Sequence, residues 1–242
     1  KPEAQVSYDF GAFIGAIADL FQGRKLEETV IVYPYANDFS NRPLANAATT
    51  HAVRTLSYRL NMPARGIGEY HLSSLATDAP KLLIVPSAHS FSDEALDTLL
   101  RHVENKGGTL LITGPVGLDE YWRPTGRLRD LLGAGDVANL LREEELAIGG
   151  TTYPASFGKS RIADSCKQLV DRGDSAGAAG TASLVEAAVG RGRLVWCPLP
   201  LELNDDTDTL ARLYKHVSDG AGIAPELEWL AGGELRGVYG RK

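Results

Sequence analysis

The turn after a predicted buried strand is the first place where this sequence could carry a nucleophile. The stretch VENKGGTLLITGPVG, at 103–117, predicts the end of a helix, a double-glycine turn, a strand and a second tight turn. In many α/β hydrolases such a turn presents a Ser or Cys nucleophile, and the next backbone N–H stabilises the oxyanion. Here the turn is Gly114-Pro115-Val116-Gly117, and Pro115 has no N–H to donate. The sequence therefore predicts the turn, but neither the nucleophile nor the oxyanion-binding N–H that hydrolysis would need there.

Cys197 is the second candidate nucleophile, because it ends the apolar run RLVWC. Pro198 follows it, so the amide that an oxyanion would need is absent again. A buried, inert thiol is the favoured interpretation. The other cysteine, Cys166, lies far away in the sequence, and the spacing fits neither a C-x-x-C nor a metal-ligand motif. The sequence does not show whether these two cysteines form a disulfide, and it does not indicate the redox compartment.

Metal and cofactor motifs are the next chemistry to consider. The five histidines, at positions 51, 71, 89, 102 and 216, follow no metal-binding pattern. The acidic residues at 143–145 and 205–208 are explained by a solvated face and a helix N-terminus. The glycines at 190–192 and near Gly177 lack the strand-to-helix context of a phosphate-binding loop. We expect no catalytic residue, no metal and no cofactor in this chain.

Strands that alternate with amphipathic helices must position any site. Buried strands are predicted at 29–35, 81–87 and 109–113, and helices at 8–26, at 44–60 and from a capping box of Ser90 and Asp93 to Gly107-Gly108. The turn formers at 36–43 predict a loop. This alternation predicts a mainly parallel sheet with helices on both faces, a flavodoxin-like three-layer α/β sandwich.

The second half of the chain has a weaker pattern. Short β segments are predicted at 145–157 and 166–170, without a pairing. Two extended runs around Gly190-Arg191-Gly192 predict a hairpin. A last helix starts at Asp205 or Asp206 and turns Leu210, Leu213, Tyr214 and Val217 inward.

Composition limits the partners. The 242 residues carry a formal net charge of −6, with 43% hydrophobic and 23% charged residues. No Lys/Arg cluster forms the cationic face that nucleic acid or an anionic membrane requires. No stretch has the length of a transmembrane span or the layout of a signal peptide, and the compartment remains undetermined.

Polar and aromatic residues follow three of the predicted strands, where ligands bind in open parallel sheets. They are Asn37, Asp38, Asn41 and Arg42 after the first strand, His89 after the second, and Tyr121, Trp122 and Arg123 after the third. Polar groups beside exposed aromatic rings suit a sugar or a protein partner. Simple loop capping is the alternative.

Two blocks, 81–132 and 189–223, resemble a known family. The first contains LLIVPSAHSFSDEALDTLLRHVENKGGTLLITGPVGLDEYWRP, and the second contains VGRGRLVWCPLPLELNDDTDTLARLYKHVSDGAGI. Both look like the β-galactosidase trimerisation domain, the middle domain of glycoside hydrolase family 42 (GH42). The stretch between them and YPYANDFSNRP, at 33–43, match poorly.

The resemblance implies a class I glutamine amidotransferase-like fold that has lost its catalytic triad. In the family this domain follows a (β/α)8 barrel with two catalytic glutamates, precedes a small β domain and assembles subunits, often as trimers. Its loops can border a neighbouring active site. The expected partners are therefore other subunits of a homo-oligomer, an upstream barrel and a carbohydrate.

The resulting expectation is a non-catalytic assembly domain from a multidomain glycoside hydrolase. Residues 1–26 would link from the upstream domain, 27–224 would form the α/β domain with its hairpin extension, and 225–242 would start a C-terminal β domain. A free-standing amidotransferase-like hydrolase with a degenerate site and a carbohydrate-binding module remain the alternatives.

Overall fold

A six-stranded, mainly parallel β-sheet lies at the centre of the computed structural model, which describes residues 2–21, 27–132, 143–157 and 181–225. The strands are β1 (Thr29–Tyr33), β2 (Ala64–Gly68), β3 (Leu82–Val85), β4 (Thr109–Thr113), β5 (Glu143–Ile148), β6 (Thr151–Ser156), β7 (Thr181–Ser183), β8 (Val185–Val189) and β9 (Gly192–Cys197). The central sheet has the order β2-β1-β3-β4-β9-β8, in which β8 alone is antiparallel to its neighbour. The predicted α/β architecture is confirmed.

Helices cover both faces of this sheet. They are α2 (Tyr35–Arg54), α3 (Asp93–Lys106), α4 (Arg127–Leu132) and α5 (Thr207–Gly220), while none of the described residues of α1 (Pro2–Ile17) belongs to the buried clusters. The side chains of α2 and α5 pack with Ile31, Ile84 and Leu111 on one face. Those of α3 pack with Leu83 and Leu110 on the other. Alternate residues of the apolar strands are thus buried on opposite faces, which explains their unbroken hydrophobic runs.

The second half contains the predicted hairpin and a small second sheet. β8 and β9 pair as antiparallel strands around Gly190, which has a positive φ of 54°. β5 and β6 form another antiparallel hairpin, and β7 pairs parallel to β5. The β prediction for 145–157 is therefore confirmed, whereas the one for 166–170 lies outside the described residues.

The first helix starts earlier than the sequence pattern indicates. It begins at Pro2 rather than Tyr8 and continues as a 3-10 turn at Ala18–Phe21, and residues 22–26 are outside the described part. Phe10, Phe13 and Ile14 are exposed on it. No described helix has the length and hydropathy that crossing a membrane requires.

The loop predicted at 36–43 is wrong, because α2 runs through it from Tyr35. Local turn formers are overridden here by a distant partner, since the Glu69 Oε2 atom accepts the N–H of Ala36 at 2.7 Å. First-turn N–H groups have no acceptor within their own helix, so an external carboxylate stabilises this start. Asn37 and Asp38 consequently lie on the first turn of a helix.

Two further details differ from the sequence predictions. The N-cap of α3 is Ser92 rather than Ser90, and its Oγ accepts the N–H of Ala95 at 3.2 Å. β2 has no counterpart among the predicted strands, because this edge strand reads ARGIG and lacks an apolar run. Pairing with β1, rather than local hydrophobicity, defines it.

A side chain at Gly114, in the turn after β4, is expected to destabilise the fold. The φ of Gly114 is +87°, and a Cβ there would lie 3.1 Å from the Ala88 carbonyl oxygen. Gly114→Ala should therefore lower the free energy of unfolding by about 1–3 kcal/mol, as measured by urea denaturation. Gly117→Ala, in the same turn, is the matched control, because nothing lies within 4 Å of its Cβ position. Equal losses for both variants would contradict this explanation.

Candidate functional site

The carboxyl ends of β1, β3, β4 and β9 meet along one edge of the sheet, called here the carboxyl edge. The structure places most of the predicted site residues there: Asn37 and His89 are buried, Asp38 is half-buried, and Tyr121, Trp122 and Arg123 are exposed. Asn41 and Arg42 belong to α2, but their side chains lie outside the described residues. The Leu118 N–H donates to the His89 carbonyl oxygen at 3.0 Å and so joins the loops after β3 and β4.

Glu202 fills the interior of this edge between β3, β4 and α5. Its Oε2 atom accepts hydrogen bonds from the hydroxyls of Ser87 and Thr113, both at 2.5 Å, and its Oε1 atom accepts one from Tyr214 at 2.6 Å. Glu202, Ser87, Thr113 and Tyr214 have no exposed surface. The carboxyl group is thus enclosed by the protein's own hydroxyls.

Burial dominates the electrostatics of Glu202. It raises the pKa of the carboxyl group above its ordinary value, although the hydroxyls of Ser87, Thr113 and Tyr214 act in the opposite direction. Burial and the nearby Glu202 also raise the pKa of Tyr214. His51 Nδ1 lies 2.6 Å from the Glu202 carbonyl oxygen and donates to it, because a carbonyl oxygen can only accept. These contacts hold the 3-10 turn Leu201–Leu203 against α2.

A second buried carboxyl group, Glu69, closes the side of the edge near β1. Its Oε2 accepts the Ala36 N–H at 2.7 Å, and its Oε1 accepts the Ser92 N–H at 2.5 Å. Burial raises the pKa of Glu69, while these two donors oppose the shift. Glu69 therefore joins the N-termini of α2 and α3.

The position of Glu69 matters because helix N-termini at this edge are where doubly wound sheets bind anionic ligands. Here the chain's own carboxylate takes up the N–H groups at the starts of α2 and α3. A phosphate would have to displace Glu69 from both helices. The geometry thus disfavours a nucleotide or phosphate ligand at this position.

His89 follows β3, as expected, but lies inside the protein with 5% of its surface exposed. Burial lowers the pKa of His89 to about 4, so the imidazole is neutral near pH 7. Its ring nitrogens have no hydrogen-bond partner among the described residues. A ligand-binding role for His89 stays a prediction.

The structure places Cys197 at the end of β9 as an inaccessible thiol. It has no exposed surface, and burial raises its pKa well above the ordinary value. Thiolate is the reactive form of cysteine, so this thiol should not act as a nucleophile.

Cys197 is accordingly expected to resist alkylation in the folded protein. In a Cys166→Ser background, iodoacetamide should modify Cys197 only after denaturant is added, as followed by mass spectrometry. Rapid modification of the native protein would contradict the buried position of the thiol.

Five exposed aromatic side chains cover the carboxyl edge outside these buried groups, and we call them the aromatic face. They are Tyr35, Phe39, Tyr70, Tyr121 and Trp122. The rings of Tyr35 and Tyr70 are stacked with centroids 6.1 Å apart and an interplanar angle of 10°. Sequence reasoning found Tyr121 and Trp122 but missed the pair of tyrosines, because they were assigned to a strand end and to a region without a predicted element.

The loop after β4 presents Tyr121 and Trp122 in a fixed conformation. Asp119 accepts the N–H groups of Tyr121 and Arg123 at 2.8 and 2.9 Å, and Arg123 Nε donates to it at 2.7 Å. These donors outweigh burial and lower the pKa of Asp119. Trp122 has a positive φ of 61°, which is uncommon for a residue with a side chain. Such strain persists where surrounding contacts impose it.

Comparisons with known proteins place the fold in context. No protein-family model matches the chain, and no curated protein matches it. A catalytic mutant of Gan42B, a GH42 β-galactosidase from G. stearothermophilus, matches 93% of this chain and 34% of its own chain at 17% identity, with a TM-score of 0.60. The cold-adapted β-galactosidase from Rahnella sp. R3 matches 91% of this chain and 35% of its own at 14% identity, with a TM-score of 0.58.

A third solved structure gives a similar result. The β-galactosidase from the Antarctic haloarchaeon Halorubrum lacusprofundi matches 84% of this chain and 32% of its own at 19% identity, with a TM-score of 0.52. The chain spans about a third of the length of each of these proteins. At these identities the likeness shows the fold, and the chain has the α/β fold of one segment of these β-galactosidases.

Proposed function

We propose that this chain is the non-catalytic assembly domain of a multidomain glycoside hydrolase related to the GH42 β-galactosidases. The observation that carries the proposal is a carboxyl edge closed by Glu69 and Glu202 in a fold that matches a third of those enzymes. In the parent protein an upstream (β/α)8 barrel would supply the catalytic carboxylates, and the parent would act on β-galactosides.

The closed edge supports a non-catalytic role through three groups. Glu202 has no exposed surface, and its oxygens are held by hydroxyls that would have to separate before a substrate could enter. Cys197 is a buried thiol with a raised pKa, and Pro115 has no N–H to donate to an oxyanion. A free-standing amidotransferase-like hydrolase would need a nucleophilic side chain that a substrate can reach.

The apolar side chains of α1 support a role in assembly. Phe10 is 63% exposed, Phe13 56% and Ile14 46%. Large apolar side chains with this exposure favour burial against a partner over contact with solvent. Between 2 and 21 the sequence has acidic residues but no Lys or Arg, which disfavours an anionic partner. We propose that α1 packs against another subunit or against the upstream domain.

Sedimentation equilibrium over a wide range of protein concentration tests this proposal. We expect the mass to rise with concentration, and Phe10→Ser with Phe13→Ser to reduce the association. Tyr58→Ser is the matched control, because Tyr58 is an exposed aromatic residue that does not belong to α1. Turnover of a nitrophenyl β-galactoside should not exceed that of buffer. A monomer at every concentration, or hydrolysis that is lost in Cys197→Ala, would contradict the proposal.

A further inference from the structure

The tyrosine rings of the aromatic face are held in place by contacts with one another and with the backbone. The Tyr35 ring lies over Gly68 at the end of β2, where a Cβ would come within 2.6 Å of its Cε2 atom. Tyr33 packs edge-on against Tyr35 at 4.9 Å, and its hydroxyl donates to Asp38 at 2.8 Å. The absence of a side chain at residue 68 thus lets the Tyr35 ring lie flat beside Tyr70. This part of the face is preformed.

Two carboxyl groups, those of Glu69 and Glu120, lie near the Tyr70 ring. Glu69, Glu120 and Tyr121 lie close enough to Tyr70 to raise its pKa, after the larger effect of partial burial. Glu120 also accepts the Asp93 N–H at 3.2 Å, so it is held near the start of α3. The tyrosine pair and the loop after β4 therefore form one continuous surface.

The balance of charge around the aromatic face is acidic. In the described segments 34–39, 69–71, 86–94 and 114–127, six carboxyl groups lie with two arginines, namely Asp38, Glu69, Asp93, Glu94, Asp119 and Glu120 with Arg123 and Arg127. Both arginines are already paired, Arg123 with Asp119 and Arg127 with Asp93. A partner that completes this surface should be cationic.

The chain itself shows how this surface accommodates a guanidinium group. Arg123 lies over the Tyr121 ring with its Cζ 4.8 Å from the ring centroid. At the same time its Nε donates to the Asp119 carboxylate at 2.7 Å. The planar guanidinium makes arginine better suited than lysine to stacking flat on a ring while it pairs with a carboxylate. Tyr70 and Glu120 offer a partner the same combination of groups.

We propose that the aromatic face docks a protein partner through an arginine side chain that stacks on Tyr70 and pairs with Glu120. A protein fits better than a small cation, because the five rings come from three separate segments on an open surface, whereas small-molecule sites are concave. Tyr, Trp and Arg are also the residues that dominate protein interfaces. This inference goes beyond the assembly role and does not depend on it.

Nuclear magnetic resonance with ring-labelled tyrosine tests the proposal. The probe is a short synthetic peptide of alternating Gly and Arg, compared with the same peptide carrying Lys or the neutral arginine analogue citrulline. We expect saturable shifts of Tyr35, Tyr70 and Tyr121 with the arginine peptide, weaker effects with lysine, and none with citrulline. Salt should weaken the binding.

Variants of the aromatic face complete the experiment. Tyr70→Ala and Glu120→Gln should each weaken arginine-peptide binding about fivefold, which corresponds to the loss of roughly 1 kcal/mol. Tyr58→Ala, at an exposed tyrosine in the helical turn that follows α2, should leave the binding unchanged. Urea denaturation confirms that each variant is folded.

Two results would overturn the proposal. One is the absence of saturable shifts at these tyrosines, or shifts that both variants leave unchanged. The other is saturable binding of a galacto-oligosaccharide at the same rings without any response to the arginine peptide, which would assign the aromatic face to a sugar. Neither result bears on self-association, so the assembly role is tested separately.

Discussion

Glu202→Ala is expected to lower the free energy of unfolding by about 3–5 kcal/mol. The substitution removes a fully buried carboxyl group and leaves the hydroxyls of Ser87, Thr113 and Tyr214 without their shared partner. Each buried polar group that loses its partner carries a desolvation cost of about 1–3 kcal/mol. Urea denaturation at neutral pH, followed by circular dichroism, measures the loss.

Two variants serve as controls for Glu202→Ala. Glu202→Gln keeps an acceptor oxygen and nearly the same volume, so it should cost less than half as much. Glu94→Ala removes an exposed carboxylate in the first turn of α3 and should change the free energy of unfolding by about 0.5 kcal/mol or less. Equal effects of Glu202→Ala and Glu94→Ala would contradict the buried network.

The same carboxyl group should affect the pH dependence of stability. Because the folded-state pKa of Glu202 is raised above 4.5, the folded protein binds this proton more tightly than the unfolded chain. The stabilisation is complete below the unfolded pKa and is lost as pH rises through the folded pKa. Glu202→Gln should therefore flatten the fall in unfolding free energy with rising pH. An unchanged slope would show that Glu202 titrates normally.

Glu69→Ala is the second substitution with a large expected effect, about 3 kcal/mol in the free energy of unfolding. It removes two hydrogen bonds to one carboxylate, and each bond of this kind makes a net contribution of roughly 1.5–3 kcal/mol. The Ala36 and Ser92 N–H groups that lose their acceptor lie at the starts of α2 and α3. Urea denaturation at pH 8 measures the loss, and hydrogen exchange should accelerate at both amides.

Glu69→Gln should remove only one of the two hydrogen bonds that Glu69 accepts from the N–H groups of Ala36 and Ser92. The amide oxygen can still accept one N–H, but the amide nitrogen must face the other donor, so about half of the loss should remain. Glu94→Gln, also in the first turn of α3, is the matched control and should have little effect. Faster exchange spread evenly over the molecule, rather than at Ala36 and Ser92, would contradict a local role for Glu69.

The central strands could be predicted because neighbouring residues in the sequence are enough to identify them. LLIV is an uninterrupted apolar run before Pro86, and TLLIT has three apolar residues between two threonines before Gly114; both form fully buried strands. The stripe of α5 is equally clear, with Leu210, Leu213 and Tyr214 all buried. Apolar strand runs and helical stripes of this kind involve only near neighbours in the sequence, so they can be recognised before the fold is known.

The start of α2 and the two buried glutamates could not be predicted, because long-range contacts define them. Glu69 is 33 residues from Ala36, and Glu202 is 115 residues from Ser87. Only the fold brings these groups together. A signal for Glu202 does exist, since it is a single acid within the apolar run CPLPLEL at 197–203. An acid in such a run requires buried partners.

The rule for open parallel sheets places Asn37, His89 and Trp122 at the carboxyl edge, where the structure also has them, but it does not indicate which groups fill the interior of that edge. Exposed Tyr121 and Trp122 agree with a surface role, whereas the buried His89 has little access to a ligand. The interior of the edge instead holds Glu69 and Glu202. Residue types after a strand indicate which groups reach the edge, but they do not indicate which of them face inward.

The chain's own carboxyl groups, Glu69 and Glu202, close the carboxyl edge of the sheet. A carbon-13 NMR titration of the glutamate side chains tests this closure most directly, with Glu69→Gln and Glu202→Gln used to assign the two signals. We expect both groups to titrate above the ordinary glutamate pKa, because burial dominates each of them. Titration of Glu69 and Glu202 at the ordinary value, like an exposed glutamate, would show an open edge and contradict the account.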